Sequence, residues 1–466
     1  DRRRLLILGQ LWMLSAAFTL GLLCIFNIIN PWILLGLTFM MAIGAVITGP
    51  AWNAAIPELV SKDNLEPAIA LGSMGYNVAR GIGSAIGGLA VAALGPGPVF
   101  ILNAISFLGV IVVFMKWKRQ RVKYSTAREK VSGAIRAGLR FVRHSPALKS
   151  IFVRSATYAC CSSAMWALLP LIAREKLHLS SGGYGLLLAF FGLGTLVGAA
   201  ILPRLRKTVS LDDVTTFGKL LFGGALVGLA YAQNGVTASL FMIGFGLSWI
   251  VVNSCLNVGA QKASPAWVRA RALSVHILVF LGCFAISSAL WGELANHYGL
   301  DTPLLIAAVG LGLSLLLAKH FPLGIAESLD TTLSDHWTDP NNVIEPHPDH
   351  GPVVVTVEYF IDPERSREFA EAMRALSLQR KRDGAFQWHL FCDVSNPSRH
   401  VETFFVESWA EHLRQHERVT VSDKEAEDKV NSFHIGPQPP VVHHLINAYM
   451  PDSSDKELVL LDVNIN

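Results

Sequence analysis

Ten stretches of this chain, each about twenty residues long and almost wholly apolar, follow one another with barely enough polar sequence between them to turn a corner. A helix needs about 20 apolar residues to cross the hydrocarbon layer of a bilayer. Segments 5–26, 31–57, 67–94, 97–117, 149–172, 182–203, 214–233, 235–260, 271–295 and 302–322 meet that requirement. Loops such as "NIINP", "GPGP" and "AQNG" supply the Gly, Pro and Asn that stop one helix and start the next in the opposite sense. Only 16% of the residues are charged, against roughly a quarter in a soluble chain. The deficit ends near Leu323, beyond which the composition is that of ordinary soluble protein. Two solvents explain this split better than one large core.

Lysine and arginine placement gives the orientation. Alternate loops hold Arg2 to Arg4, Lys62, the 118–148 linker, Arg204, Arg206, Lys207, Lys262, Arg269 and Arg271, while the other set holds only Arg174 and Lys176. The basic loops are expected on the cytoplasmic side of a bacterial inner membrane, together with everything after Leu323. The stretch 116–149 carries eleven Lys or Arg against one acid, Glu129, and divides the spans into four and six. Within it, Ile135, Leu139 and Val142 fall on one helical face and Arg136, Arg140 and Arg143 on another, a pattern suited to a helix on an anionic leaflet or to a simple tether.

A net charge of +4 is too small to argue for nucleic acid. Cys24, Cys160, Cys161, Cys255 and Cys283 lie inside apolar blocks and Cys392 in the soluble part, with no CxxC and no His/Cys ligand spacing. No disulfide framework, metal or cofactor is expected.

Spans divided by a basic cytoplasmic linker suit a transporter of two repeated halves. The opening "DRRR" resembles the end of the major facilitator superfamily's motif between its second and third helices. In that family the acid and bases make charge contacts at cytoplasmic helix ends, which implies a gating role for Asp1 and Arg2 and a chain that begins two helices into a twelve-helix fold. "PELVSKDNLEPAIALGSMGYNVARGIGSAIGG" (57–88) resembles the branch that includes the enterobactin exporter and the transmembrane secretion effectors. Gly83, Gly87 and Gly88 match its exporter motif "GPxxGG", with Ser84 where the motif has proline. "QKASPAWVRARALSV" (261–275) resembles the same branch's junction before the eleventh helix and brings in Arg269 and Arg271, with Ala270 in place of the usual glycine. The resemblance covers nearly all of 1–322 and implies export by alternating access, with the proton as coupling ion.

Polar groups inside a membrane are costly unless they meet a partner or a wet cavity. Arg80 lies deep in its segment, with Asn77 one turn earlier on nearly the same face. Two readings stay open: a cavity residue for an anionic substrate or carboxylate, and a structural contact between helices. Asn253 and Asn257 share one face of 235–260, with Gln261 continuing the row and Trp249 one turn before. That stripe suits either a cavity lining or hydrogen bonds between helices. Asn53, beside Trp52, and His276 are further candidates for the substrate path.

After a polar linker (324–350) the pattern becomes strand (352–361), helix, two strands joined by "SNPS", a helical region and a last strand, the order of a ferredoxin-like split unit. Residues 451–466 form an acidic tail. "ESWAEHLRQH" (407–416) resembles the antibiotic-biosynthesis-monooxygenase type of dimeric α+β barrel, with Trp409 and His416 on its motif. His389, His412 and His416 could serve as general bases in a pocket there. A binding or homodimerising module is the simpler expectation, and a catalytic role is not.

The expected architecture is an all-α polytopic membrane protein with a C-terminal α+β domain. Its expected boundaries are a partial N-terminal half (1–117), a linker (118–148), a six-helix half (149–323), a second linker (324–350) and the α+β domain (351–450). The expected function is secondary transport of a small amphipathic molecule, siderophore- or drug-like, across the bilayer. The competing reading is a membrane-anchored ligand-binding or monooxygenase-like protein whose chemistry lies in the α+β domain.

Overall fold

The structure is a computed structural model, which describes residues 2–59, 75, 79, 83, 86–88, 90, 91, 93–117, 131–334, 336–337, 344–447 and 459–460. Among them are nine helices long and apolar enough to cross a membrane. The expected segment 67–94 lies largely outside the described residues, and Asn77, Arg80 and Ser84 with it. Asp1 and the tail 451–466, apart from Val459 and Leu460, are outside as well.

Among the described residues of the first bundle are the helices α1 (Arg2–Ile25), α2 (Pro31–Leu59) and α3 (Pro96–Lys116). The linker helix α4 (Val131–His144) follows, and then α5 (Pro146–Leu171), α6 (Ser181–Leu205), α7 (Leu211–Tyr231), α8 (Gly235–Lys262), α9 (Arg269–Tyr298) and α10 (Asp301–Ser314). Short helices α11 (Leu316–His320) and α12 (Gly324–Ser328) lead out of the bundle. Four successive helices in the second half start on a side-chain cap. Ser145, Ser180, Ser210 and Asn234 accept from the backbone N–H of Leu148, Gly183, Asp213 and Thr237, which satisfies donors a helix start would otherwise leave bare.

These helices are apolar all round, so lipid rather than a protein core must cover them. For α9, the most apolar window has a mean hydropathy of 2.1, yet only 11% of it is buried; such a surface is untenable in water. Helices meet through small residues. A Cβ on Gly194 of α6 would stand 2.1 Å from the Ile243 carbonyl oxygen, and one on Gly246 of α8 would stand 1.9 Å from that of Phe191. Glycine on both sides is what lets these two backbones cross. Gly88 makes the same kind of approach, its Cβ position 2.6 Å from the Gly185 Cα on α6, and so ties the first bundle to the second half.

The C-terminal unit is a four-stranded antiparallel sheet of β1 (Val353–Phe360), β2 (Phe386–Cys392), β3 (Arg399–Val406) and β4 (Val441–Ile446), in the order β2-β3-β1-β4. Helices α13 (Ser366–Asp383), α14 (Trp409–Arg418) and α15 (Val421–Asn431) cover one face. There Val353, Val355, Val357 and Tyr359, alternate residues of β1, pack on Phe369, Met373, Leu376 and Trp409. Outside this sheet, Ile344–Glu345 pairs antiparallel with Val459–Leu460.

The linker helix, which by sequence suits either an anionic leaflet or a simple tether, packs against protein on one side. Among its residues from Arg136 onward, whose burial is described, Ala137, Gly138 and Phe141 are buried, while Leu139 is 60% exposed. A Cβ on Gly138 would stand 2.9 Å from the Arg271 Cβ, so the helix lies against the start of α9. Phe141 packs edge-on against Trp267, with the Arg382 guanidinium over its other side. Arg140 donates to Glu411 at 2.7 Å and Arg136 to Glu407 at 3.2 Å. Basic residues that read as lipid-facing thus meet the carboxylates of the C-terminal unit. A cavity of about 210 Å³ remains at this junction, lined by Phe141, Pro146, Ala263, Ile325, Leu378 and Arg382 among others.

Candidate functional site

Polar chemistry inside the second half collects on α5. Residues Arg154, Ser155 and Tyr158 of this helix are all but inaccessible. Arg154 pairs with Asp212 at the start of α7, and Asp212 Oδ2 also accepts from the backbone N–H of Leu323 and Gly324 at 2.8 and 2.9 Å. One carboxylate therefore joins three chain segments. Lys219, on α7 and 1% exposed, donates to the Arg154 carbonyl oxygen, Thr157 Oγ1 and Ser314 Oγ at 3.3–3.4 Å. Among the described residues it has no carboxylate partner, and Arg154 Nε and Nη2 have no hydrogen-bond partner. Arg154 thus takes the one acid at this place, and Lys219 is held by neutral oxygens. Such groups inside a membrane segment are expensive and mark function more often than packing.

At the next residue of α5, Ser155 Oγ and His276 Nε2 of α9 are 3.0 Å apart, and the imidazole stacks on Phe152. Trp249 of α8 sits at the centre of an aromatic cluster, its ring 5.7–6.4 Å from those of Tyr158, Trp166, Phe191, Phe280 and Phe284. Asn253 donates to the Trp249 carbonyl oxygen and Gln261 to Asn257 Oδ1. Among the described residues the amide stripe is therefore bonded along its own helix. His276 and Trp249 are brought to one region through Ser155 and Tyr158.

The other residues singled out by sequence scatter. Asn53 and Arg2 lie in helices, but their side chains are outside the described set. Arg3 donates to the carbonyl oxygens of Phe114 and Met115, capping the end of α3. Arg269 donates to the Ser264 carbonyl oxygen at 3.1 Å, and Arg271 is the stem against which Gly138 packs. Gly83 and Gly87 have no described atom within 4 Å of their Cβ positions. Sequence reading overlooked Arg154 and Lys219, although each is a charge inside an apolar run, which is the signal that drew attention to Arg80.

In the C-terminal unit, Trp409 and His416 flank His412, with ring centroids 5.4 and 4.8 Å from it. His444 of β4, which the sequence reading passed over, joins them at 4.7 Å from His412. His389 does not belong to this group. It pairs with Thr403 on the opposite face of the sheet, the face that holds exposed Phe391 and Leu445. Burial first, then the neighbouring His416 and His444, push the His412 imidazole down to about 3, so it is neutral at pH 7. Beside this cluster, burial alone would raise the Glu427 carboxyl. Arg380, with hydrogen bonds from His336 and Trp337, outweighs it and holds the group at about 2.

Comparison with known proteins adds the following. The profile of the major facilitator family described as "Transmembrane secretion effector" matches residues 1–452. The staphyloferrin A transporter of Staphylococcus aureus is 21% identical over 307 residues, covering 64% of this chain and 75% of that protein. An uncharacterised MFS-type transporter of Bacillus subtilis, YfiS, is 26% identical over 293 residues, 60% of this chain and 69% of that protein. Among solved structures, a POT family transporter in complex with 5-aminolevulinic acid superposes with a TM-score of 0.55 at 14% identity, covering 69% of this chain and 82% of that one; at this identity the likeness shows the fold alone. With nine described membrane helices in the major facilitator arrangement and a profile match over nearly its full length, the chain belongs to the transmembrane secretion effector family of the major facilitator superfamily.

Proposed function

We propose that the chain is a secondary active transporter that exports a small amphipathic molecule by alternating access, driven by a proton gradient. The observation that carries this reading is the placement, inside the second half, of a Trp249-centred aromatic cluster beside two buried basic side chains, Arg154 and Lys219, of which only Arg154 meets a carboxylate among the described residues. An aromatic surface next to excess positive charge suits a substrate with an apolar body and an anionic group. The name of the staphylococcal relative, a staphyloferrin A transporter, agrees with a siderophore-like substrate. The close glycine contact of Gly88 with Gly185 provides an interface of the kind two rocking halves require.

The soluble unit, in this reading, is a ferredoxin-like domain on the cytoplasmic side of the inner membrane, with domain boundaries near 118, 149, 324 and 351. Its open sheet face, bearing Phe386, Phe391, Val441 and Leu445 at 40–55% exposure, suits pairing with a second copy.

Everted vesicles from cells expressing the chain, offered labelled hydroxycarboxylate siderophores and anionic dyes, are expected to accumulate at least one of them. Accumulation should stop on adding an uncoupler and be lost in Lys219→Met. Accumulation indifferent to the uncoupler would overturn the coupling, and accumulation only in right-side-out vesicles would overturn export.

A further inference from the structure

We infer that His412, His416 and His444 form a binding site for a divalent transition metal of the zinc class, held by three imidazoles with a fourth position left open. His412 and His416 are four residues apart on α14 and so project from one helical face. His444 reaches them from β4: it pairs with Val355, one of the inward residues of β1, so strand alternation turns it toward the helices. All three ligand nitrogens lie within 4.8 Å of one another.

The geometry is closer to a metal site than proximity alone requires. His412 Nε2 and His416 Nε2 are 3.3 Å apart. Two ligands at the zinc–imidazole distance of about 2.0–2.1 Å, at a tetrahedral angle, are separated by about 3.3 Å. His412 Nδ1 lies 3.2 Å from Gln415 Oε1. An amide oxygen only accepts, so Nδ1 carries the proton and Nε2 presents its lone pair toward His416. An outer hydrogen bond that fixes the tautomer of a ligand imidazole recurs in metal sites. His412 is buried, while His416 and His444 are half-buried, which leaves an entry route and room for the small rotation that closes the third ligand. The Trp409 and Trp337 rings wall the cluster, 5.4 Å from His412 and 4.9 Å from His416. An all-nitrogen set selects zinc, copper, nickel or cobalt over magnesium or calcium.

An imidazole-to-imidazole hydrogen bond would also explain the 3.3 Å contact, and the experiment separates the two. Full-length protein carrying a tag without histidines, stripped with a chelator in detergent, is titrated with Co²⁺ and back-titrated with Zn²⁺. The expected result is one equivalent of Co²⁺ per chain, with the intense visible absorption of a four-coordinate ion, displaced by Zn²⁺. His416→Ala and His444→Ala should each weaken binding more than 10-fold, and Gln415→Ala about 10–100-fold, the usual cost of an outer partner. His443→Ala, on the other side of β4, should change nothing. A second readout needs no variant: Zn²⁺ should slow diethyl pyrocarbonate modification of His416 and His444 at least tenfold in the wild-type chain. Absence of stoichiometric Co²⁺ binding, equal binding in the His416→Ala/His444→Ala double variant, or modification rates unmoved by Zn²⁺ would each overturn the site and leave the hydrogen bond as its explanation.

Discussion

Asp212→Asn tests whether the charge network at the base of α5 and α7 holds the second half together. The Arg154 side chain is 1% exposed and Asp212 28% exposed, so the pair is largely shielded from water. Removing one partner of such a pair leaves the other charge buried without compensation, which costs about 3–5 kcal/mol. The amide retains one oxygen to accept from Leu323 and Gly324, so the loss is chiefly the charge. At about 2–4 °C per kcal/mol for a unit of 150–250 residues, the apparent unfolding temperature should fall by about 6–20 °C. The assay is heating in detergent followed by size-exclusion recovery of the monodisperse peak. Asp213→Asn is the matched control, because Asp213 is exposed and, among the described residues, its carboxylate bonds the local cap Ser210 alone. Adding Arg154→Met to Asp212→Asn removes the stranded guanidinium and should recover much of the loss, since an apolar replacement of a buried pair is often neutral. Equal shifts for Asp212→Asn and Asp213→Asn, or no recovery in the double variant, would refute the reasoning.

Two further outcomes concern the C-terminal unit. Glu427→Gln should lower hydrogen-exchange protection of the β1 and β3 amides about 100-fold or more, because a carboxyl held at about 2 instead of 4.5 represents about 3 kcal/mol at 1.36 kcal/mol per unit. The sign follows from the depressed value: this stabilisation is complete above pH 4.5 and fades as pH falls toward 2, so the variant should differ from wild type at pH 7 and converge with it in acid. Arg140→Ala should loosen the linker helix and expose 131–144 to protease, since the Arg140–Glu411 pair is 19% and 11% exposed. Arg136→Ala should leave cleavage unchanged, because its pair with Glu407 is more than 60% exposed on both sides and such pairs contribute about 0–1 kcal/mol.

What could be read from sequence divides along a physical line. The membrane helices were legible because lipid offers the backbone no hydrogen bonds, and a spanning helix must therefore write about twenty apolar residues in a row. The linker helix was legible as a helix but not as a contact, because Arg136 and Arg140 meet Glu407 and Glu411 across 271 residues, and a basic face looks the same whether it awaits phosphate or carboxylate. Arg154 was hidden for a related reason. Its partner Asp212 lies 58 residues on, in what reads as a loop, so each charge looks like an isolated flaw. The histidine cluster shows the limit most sharply. His412 and His416 announce a shared face by their spacing, but the third imidazole comes from "VVHHLI", where two adjacent histidines are equivalent by composition. Strand parity sends one to each side of the sheet, and only the pairing of His444 with Val355 and of His443 with Thr356 decides which. A slip of one residue would exchange them, turning His443 toward His412 and His416 and placing His444 on the open sheet face. The register of β4 against β1 therefore fixes which of the two histidines joins this cluster, and register is a property of the folded sheet that no local reading of the six residues contains.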